Sequence, residues 1–180
     1  MKEIYLIRHA ESEANVADDL DNPKYYFDAR ITERGKLQAK KVYNDLKDYN
    51  FDLYVCSPLT RTLETFSIIF PKQKPFISNL IREHLHHSCD VGRQPTELQK
   101  EFPNFNFDNL NKYWWNNDKP IDEKKIKQES YEDIKIRLDK FKSWLGSKKE
   151  RKIVVVSHGT FLSQITGEML NNCEQYIWKY

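Results

Sequence analysis

Lys152–Ser157 carries four consecutive β-branched residues, Ile153, Val154, Val155 and Val156, and no polar face. A strand of that kind cannot sit half in water; both its faces must be covered, as in the interior of a mainly parallel sheet. Glu3–Ile7 and Asp52–Cys56 are two further β-rich runs. Between them stand helical patterns. Thr32 opens one, with Ala39, Val42, Leu46 and Tyr49 recurring at three and four residues. Ser57–Pro58, a capping residue followed by proline, predicts a second helix through about Ile69. Ser130 and Asp133 form a capping box for a third, with Tyr131, Ile134, Leu138, Phe141 and Leu145 as its apolar stripe and Gly146 as its stop. A fourth runs from about Thr160 to Leu170, and Glu174–Trp178 reads as a last edge strand. Strands alternating with helices predict an α/β fold, a three-layer αβα sandwich around a mainly parallel sheet.

One stretch breaks the alternation. Residues 84–129 hold one helical pattern (Pro95–Phe102) and then an Asn- and aromatic-rich run with Phe102, Phe105, Phe107, Tyr113, Trp114 and Trp115. Within a single domain spanning 1–180, so long an insertion reads either as a cap over the site or as rings packing a subdomain against the core. Trp114 and Trp115 are candidates to stack on a base or sugar, or to be buried.

The 180 residues suit one domain, and 39% hydrophobic content excludes wholesale disorder. Lys+Arg 29 against Asp+Glu 27 points neither to nucleic acid nor to a membrane surface. Lys124, Lys125 and Lys127, and the run Lys148–Lys152, read as solvated faces. No apolar run approaches bilayer length, and Ile4–Ile7 stops at Arg8–His9 with no cleavage site behind it. Cys56, Cys89 and Cys173 form no CxxC pair and suit a reducing compartment. The expectation is a cytoplasmic protein; oligomeric state is not legible.

Chemistry gathers at the strand ends. Open parallel sheets bind ligands beyond the carboxyl ends of their strands. Arg8–His9 ends the first run, Cys56–Ser57 the second with Arg61 one turn on, and Ser157–His158–Gly159 the valine-rich one. A segment near Phe76–Ile81 leads into Arg82–Glu83–His84. Two arginines and two histidines on one rim repel unless an anion sits among them, and a tetrahedral phosphoryl group suits their donors. Backbone N–H groups near Gly159 and Thr160, at a helix start, would add to the pocket. An imidazole flanked by cations keeps its lone pair at neutral pH and can attack phosphorus. Glu83 is the best-placed carboxyl to protonate the leaving oxygen, with Glu11, Glu13 and Asp90 as competitors.

The blocks Arg8-His9-Ala10-Glu11-Ser12-Glu13-Ala14-Asn15, Ser57-Pro58-Leu59-Thr60-Arg61-Thr62 and Val155-Val156-Ser157-His158-Gly159 resemble the histidine phosphatase superfamily, also called phosphoglycerate mutase-like. Thr32, Gly35, Gln38 and Ala39 are similar to its "LTxxGxxQA" helix. The resemblance runs from Lys2 to about Leu170 and is weakest across the insertion. It implies His9 as nucleophile, Arg8, Arg61 and His158 as the rest of the phosphate pocket, Asn15 as a phosphate contact, and Glu83 near the usual place of the general acid. The family's R-H-G is R-H-A here, with Ala10 in the glycine's place.

The resulting expectation is a metal-independent phosphatase without cofactor, acting on a small phosphorylated substrate through a phosphohistidine. A cofactor-dependent phosphoglycerate mutase and a non-catalytic phosphate-binding module are the alternatives. His84, His86, His87, Cys89 and Asp90 could as a group hold a metal, though no second half-site accompanies them. The expectation there is instead a loop bordering substrate, with one histidine or Arg93 touching the leaving group. The blander readings pair Arg61 with Glu64 and Glu83 with Arg82.

Overall fold

In a computed structural model, which describes residues 1–17, 27–116 and 128–180, the valine-rich run lies near the middle of a five-stranded sheet. The elements are β1 (Glu3–Arg8), α1 (Glu33–Leu46), β2 (Leu53–Cys56), α2 (Thr60–Ile69), β3 (Phe76–Ile77), α3 (Pro95–Glu101), α4 (Tyr131–Gly146), β4 (Lys152–Ser157), α5 (Gly159–Thr166) and β5 (Gln175–Lys179). Strand order is β3-β2-β4-β1-β5. The first four strands are mutually parallel, and β5 closes the other edge antiparallel to β1.

Alternation along the strands makes the layers. Tyr5, Ile7, Cys56, Val154 and Val156 pack with Ala39, Val42, Leu63 and Phe66 of α1 and α2. Ile4, Leu6, Val55, Ile153 and Val155 pack with Ile134, Leu138, Phe141 and Phe161 of α4 and α5. The chain is therefore an α/β sandwich with helices on both faces. Every residue from Ile153 to Ser157 is buried, and each fully buried aliphatic side chain contributes about 1.5–3 kcal/mol.

Thr32 caps α1 by accepting from the Gly35 N–H (3.0 Å). At α4 the Ser130 hydroxyl accepts from the Asp133 N–H (3.2 Å), and the Asp133 carboxylate from the Ser130 N–H (2.8 Å). Other boundaries differ from expectation. Helix α2 begins at Thr60, with Leu59 at the cap position. Its first N–H donates to Asp28, at 2.7 Å, so a carboxylate from a distant loop does what Ser57 was expected to do. Helix α5 ends at Thr166, because Gly167 takes the left-handed conformation (φ 80°) that terminates helices. Tyr49 lies past the end of α1, and Tyr131 is 61% exposed, so neither belongs to its helix's buried stripe.

Within 84–129 the described rings fill the core. Phe105, Phe107 and Trp114 pack with Leu98 against α1 and α2. The Trp114 indole N–H donates to the Arg93 carbonyl (2.9 Å). Gly92 is required beneath that ring, since a Cβ there would meet it at 2.2 Å. Trp114 is thus closed to a ligand. Lys124, Lys125 and Lys127 lie outside the described residues. The three cysteines are free and buried. No helix among the described residues is long and apolar enough to cross a membrane.

Candidate active site

Register builds the centre of the site. Arg8 pairs with Ser157 at the ends of β1 and β4, so the next residues, His9 and His158, emerge side by side. The His9 N–H donates to the Ser157 carbonyl (2.9 Å), and the two rings lie 5.2 Å apart. Strand β2 ends level with them, and His158 Nε2 is 2.8 Å from the Ser57 hydroxyl.

His9 Nδ1 lies 2.7 Å from the Ala10 carbonyl. A carbonyl only accepts, so the proton sits on Nδ1 and the lone pair on Nε2. Burial first, and the charge of Arg61 next, hold the imidazole well below its ordinary pKa. The same two causes act on His158. Both rings are neutral at physiological pH.

Two arginines flank the histidines. Arg8 donates to the Leu170 carbonyl (2.5 Å), while its buried Nε has no partner among the described residues. Gly159 gives it room, for a Cβ there would stand 3.2 Å from the guanidinium carbon. Arg61, in the first turn of α2, donates to the Cys89 carbonyl (2.6 Å) and to Asp90 (3.0 Å). Glu64 pairs with Arg30 instead. The other Asp90 oxygen accepts from the His86 and His87 N–H groups. One carboxylate therefore fixes both Arg61 and the loop facing it.

Glu83 stands across from His9 at the start of α5. Its Oε1 accepts from the His84 (2.9 Å) and Phe161 (3.1 Å) N–H groups, its Oε2 from Thr160 alone (3.1 Å). Burial, then the nearby Asp90 charge, raise its pKa against these hydrogen bonds. Arg82 turns away and pairs with Glu129.

Helix α1 holds the loop after His9. The Thr32 N–H donates to the Glu11 carbonyl (2.9 Å), and the Glu11 N–H donates to Gln38 (2.8 Å). A Cβ on Gly35 would lie 2.2 Å from the Glu11 oxygen, so that position admits only glycine. The Glu11 carboxylate is held by Thr32 and Arg34, and that of Glu13 accepts from the Arg30 N–H. Neither competes with Glu83 as an acid. Asn15 Oδ1 accepts from Ser12 and Asn172, and its amide NH2 has no partner among the described residues.

These groups border a cleft of about 290 Å³, lined by Arg8, His9, Asn15, Arg61, Glu83 and Thr160 from the expected set. His158 and Gly159 are not among the lining residues, although the His158 ring lies directly beside that of His9. The Thr160 N–H, expected to face the anion, belongs to Glu83. Arg93 is drawn off to Asp28, Thr60 and Glu101. His84, His86 and His87 do border the cleft, joined by Ser12 and Tyr131. Tyr131 was read only as part of a helix stripe; its place beside the Ser130 cap was the one signal for it. Among the described residues no group of His, Cys, Asp or Glu is disposed to hold a metal; His84 Nε2 donates to the Glu129 carbonyl (2.6 Å) instead.

Fold and rim together define a class: an α/β sandwich with an Arg–His pair ending its first strand and a second histidine ending its central one. The family model of the histidine phosphatase superfamily (branch 1) matches residues 4–180, and the chain belongs to that superfamily. It is 29% identical to phosphoglycerate mutase-like protein 1 of Arabidopsis thaliana, over 99% of this chain and 75% of that protein. It is 24% identical to the adenosylcobalamin/alpha-ribazole phosphatase of Salmonella typhi, over 98% of this chain and 84% of the relative. Among solved structures, the alpha-ribazole phosphatase of Shigella flexneri shares the fold with a TM-score of 0.65 and 21% identity, over 97% of this chain and 89% of that one. The phosphoserine phosphatase of Entamoeba histolytica, solved with 3-phosphoglyceric acid, does so with a TM-score of 0.59 and 21% identity, over all of this chain and 91% of that one.

Proposed function

We propose that the chain is a phosphatase that hydrolyses a small phosphomonoester through a phosphohistidine on His9, with Glu83 as general acid and no metal. The observation that carries this reading is the His9 Nδ1–Ala10 carbonyl bond, which leaves Nε2 as a lone pair beside two arginines. His9 Nε2 forms a bond to phosphorus as the ester P–O bond breaks. Arg8 and Arg61 stabilise charge on the equatorial oxygens. The Glu83 proton, carried on Oε2 with its single donor, passes to the departing alkoxide. Water then attacks the phosphohistidine, gives a proton back to Glu83 and releases inorganic phosphate. The Ser57 hydroxyl, with no other acceptor among the described residues, donates to His158 Nε2; His158 then carries its proton on Nδ1, a donor for the phosphoryl group. Residues 84–90 form the outer wall of the cleft, and we read 84–129 as the insertion that selects the leaving group within a single domain.

Release of inorganic phosphate from p-nitrophenyl phosphate, retained in EDTA and lost in His9→Ala, tests the reading. Alkaline quenching during turnover should trap on the wild-type chain a phosphoryl group that is stable in base and released by acid. Full activity in His9→Ala would overturn it. Because phosphoglycerate mutase-like proteins are among the relatives, interconversion of 2- and 3-phosphoglycerate is the second assay, and transfer outpacing release would assign the mutase reaction instead.

A further inference from the structure

We propose that Arg137, together with its buried partners Glu129 and Arg82, is a positioning residue for the Glu83 carboxyl. This rests on the reading of Glu83 as the acid. Arg137 belongs to α4 and lies outside the cleft lining. Its guanidinium grips the main chain that carries Glu83. Nη1 donates to the carbonyls of Leu80 (2.7 Å) and Arg82 (3.0 Å), and Nη2 to that of Glu83 itself (3.3 Å). Its Nε and Nη2 also fork onto Glu129 at 2.8 Å each.

Glu129 completes the clamp from the other side. Its carboxylate accepts from Arg82 (2.5 Å) and from the Leu85 N–H (3.2 Å), and its own N–H donates to the Leu85 carbonyl (2.9 Å). Arg82 in turn reaches the Asn79 and Trp115 carbonyls. Residues 82–87 lie in no helix or strand. A backbone without its own ladder must find hydrogen-bond partners elsewhere when buried, and here the triad supplies them.

Two guanidiniums and one carboxylate, all nearly closed to water, are costly to desolvate, and apolar residues of similar volume often serve stability as well. What only forked donors give is a fixed place for five backbone groups around Glu83. The acid meets the Thr160 and Phe161 N–H groups at 3.1 Å, so a shift of about 1 Å would unseat it, a misplacement that can cost on the order of 100-fold in rate.

The test compares two phosphomonoesters. p-Nitrophenyl phosphate has a leaving group that departs without a proton; β-glycerophosphate has an alkoxide that needs one. In full-length Arg137→Lys, which keeps the charge and loses the fork, kcat on β-glycerophosphate should fall ~10–100-fold further than on p-nitrophenyl phosphate. Glu129→Gln carries the same expectation should Arg137→Lys not fold. Glu83→Gln sets the scale of the selective loss. Leu145→Ala, which weakens the far end of α4, should lower Tm and affect both substrates alike. Equal losses on both esters in the Arg137 and Glu129 variants, with Glu83→Gln still selective, would overturn the positioning role alone. No selectivity in Glu83→Gln would overturn both it and the acid assignment.

Discussion

The rings of His9 and His158 lie 5.2 Å apart, one residue beyond paired positions on adjacent parallel strands. Two imidazolium charges at that distance would repel by roughly 3 kcal/mol at an effective dielectric constant of about 20, and Arg61 adds to the repulsion. The pair is stable because it is neutral.

Stability should therefore depend on pH. Both histidines have folded pKa values well below 6.5, so the unfolded chain binds protons first as the solution is acidified. Their contribution is complete above about pH 6.5 and is lost below it, by up to about 1.4 kcal/mol per histidine per pH unit. Glu83, with its folded pKa raised, works in the opposite direction but is one group against two. Thermal melts from pH 7 to 5 should show Tm falling, and His158→Gln should remove about half the slope. A Tm indifferent to pH across that window would contradict neutral buried histidines.

The rate profile follows from the same two kinds of group. In the proposed mechanism turnover needs neutral His9 and protonated Glu83. The acid limb of kcat/KM should lie well below pH 6.5, and the alkaline limb should fall above the ordinary carboxyl range. With β-glycerophosphate, whose alkoxide needs the proton, Glu83→Gln should abolish the alkaline limb while leaving the acid limb in place. A profile for that variant identical to wild type would show that another group supplies the proton.

Asp90 joins Arg61, on the cleft wall, to the histidine-bearing loop. Asp90→Ala strands Arg61 as a buried unpaired charge and releases two N–H groups. The expected cost is about 3–5 kcal/mol of stability, with KM for p-nitrophenyl phosphate raised. Denaturant unfolding and steady-state kinetics measure the two effects; unchanged KM in a folded variant would separate Asp90 from the site.

Gly35→Ala should act at a distance. The new methyl would press on the Glu11 carbonyl at 2.2 Å, costing about 1–3 kcal/mol and displacing the loop that follows His9. Loss of Tm accompanied by lower kcat is the expected result, and a variant as stable as wild type would mean that the α1 contact yields freely.

Much of this arrangement was legible in the chain because it is written locally. The β-branched run gave β4, and Thr32 and the Ser130–Asp133 box gave the starts of α1 and α4. Arg8, His9, Arg61 and His158 could be placed on one rim because strand ends and helix starts follow from neighbouring residues. What escaped depends on partners remote in sequence. Asp28 caps α2 from a separate loop, and Arg82 finds Glu129 rather than its neighbour Glu83. Trp114 is buried because Gly92 makes space for it. The early end of α5 is the exception: Gly167 stands within the expected span of Thr160 to Leu170 and is itself a local stop signal.

β1 is flanked by β4 and β5, which follow it in the chain only after β2 and β3. The segment bearing His9 is thus made before both of its neighbours and must wait, with its apolar edges unmatched, until Lys152–Ser157 and Gln175–Lys179 have emerged. A nascent chain stalled anywhere before the Lys152–Ser157 run would hold His9 without His158 beside it, so synthesis itself becomes the gate on when the paired rings can form.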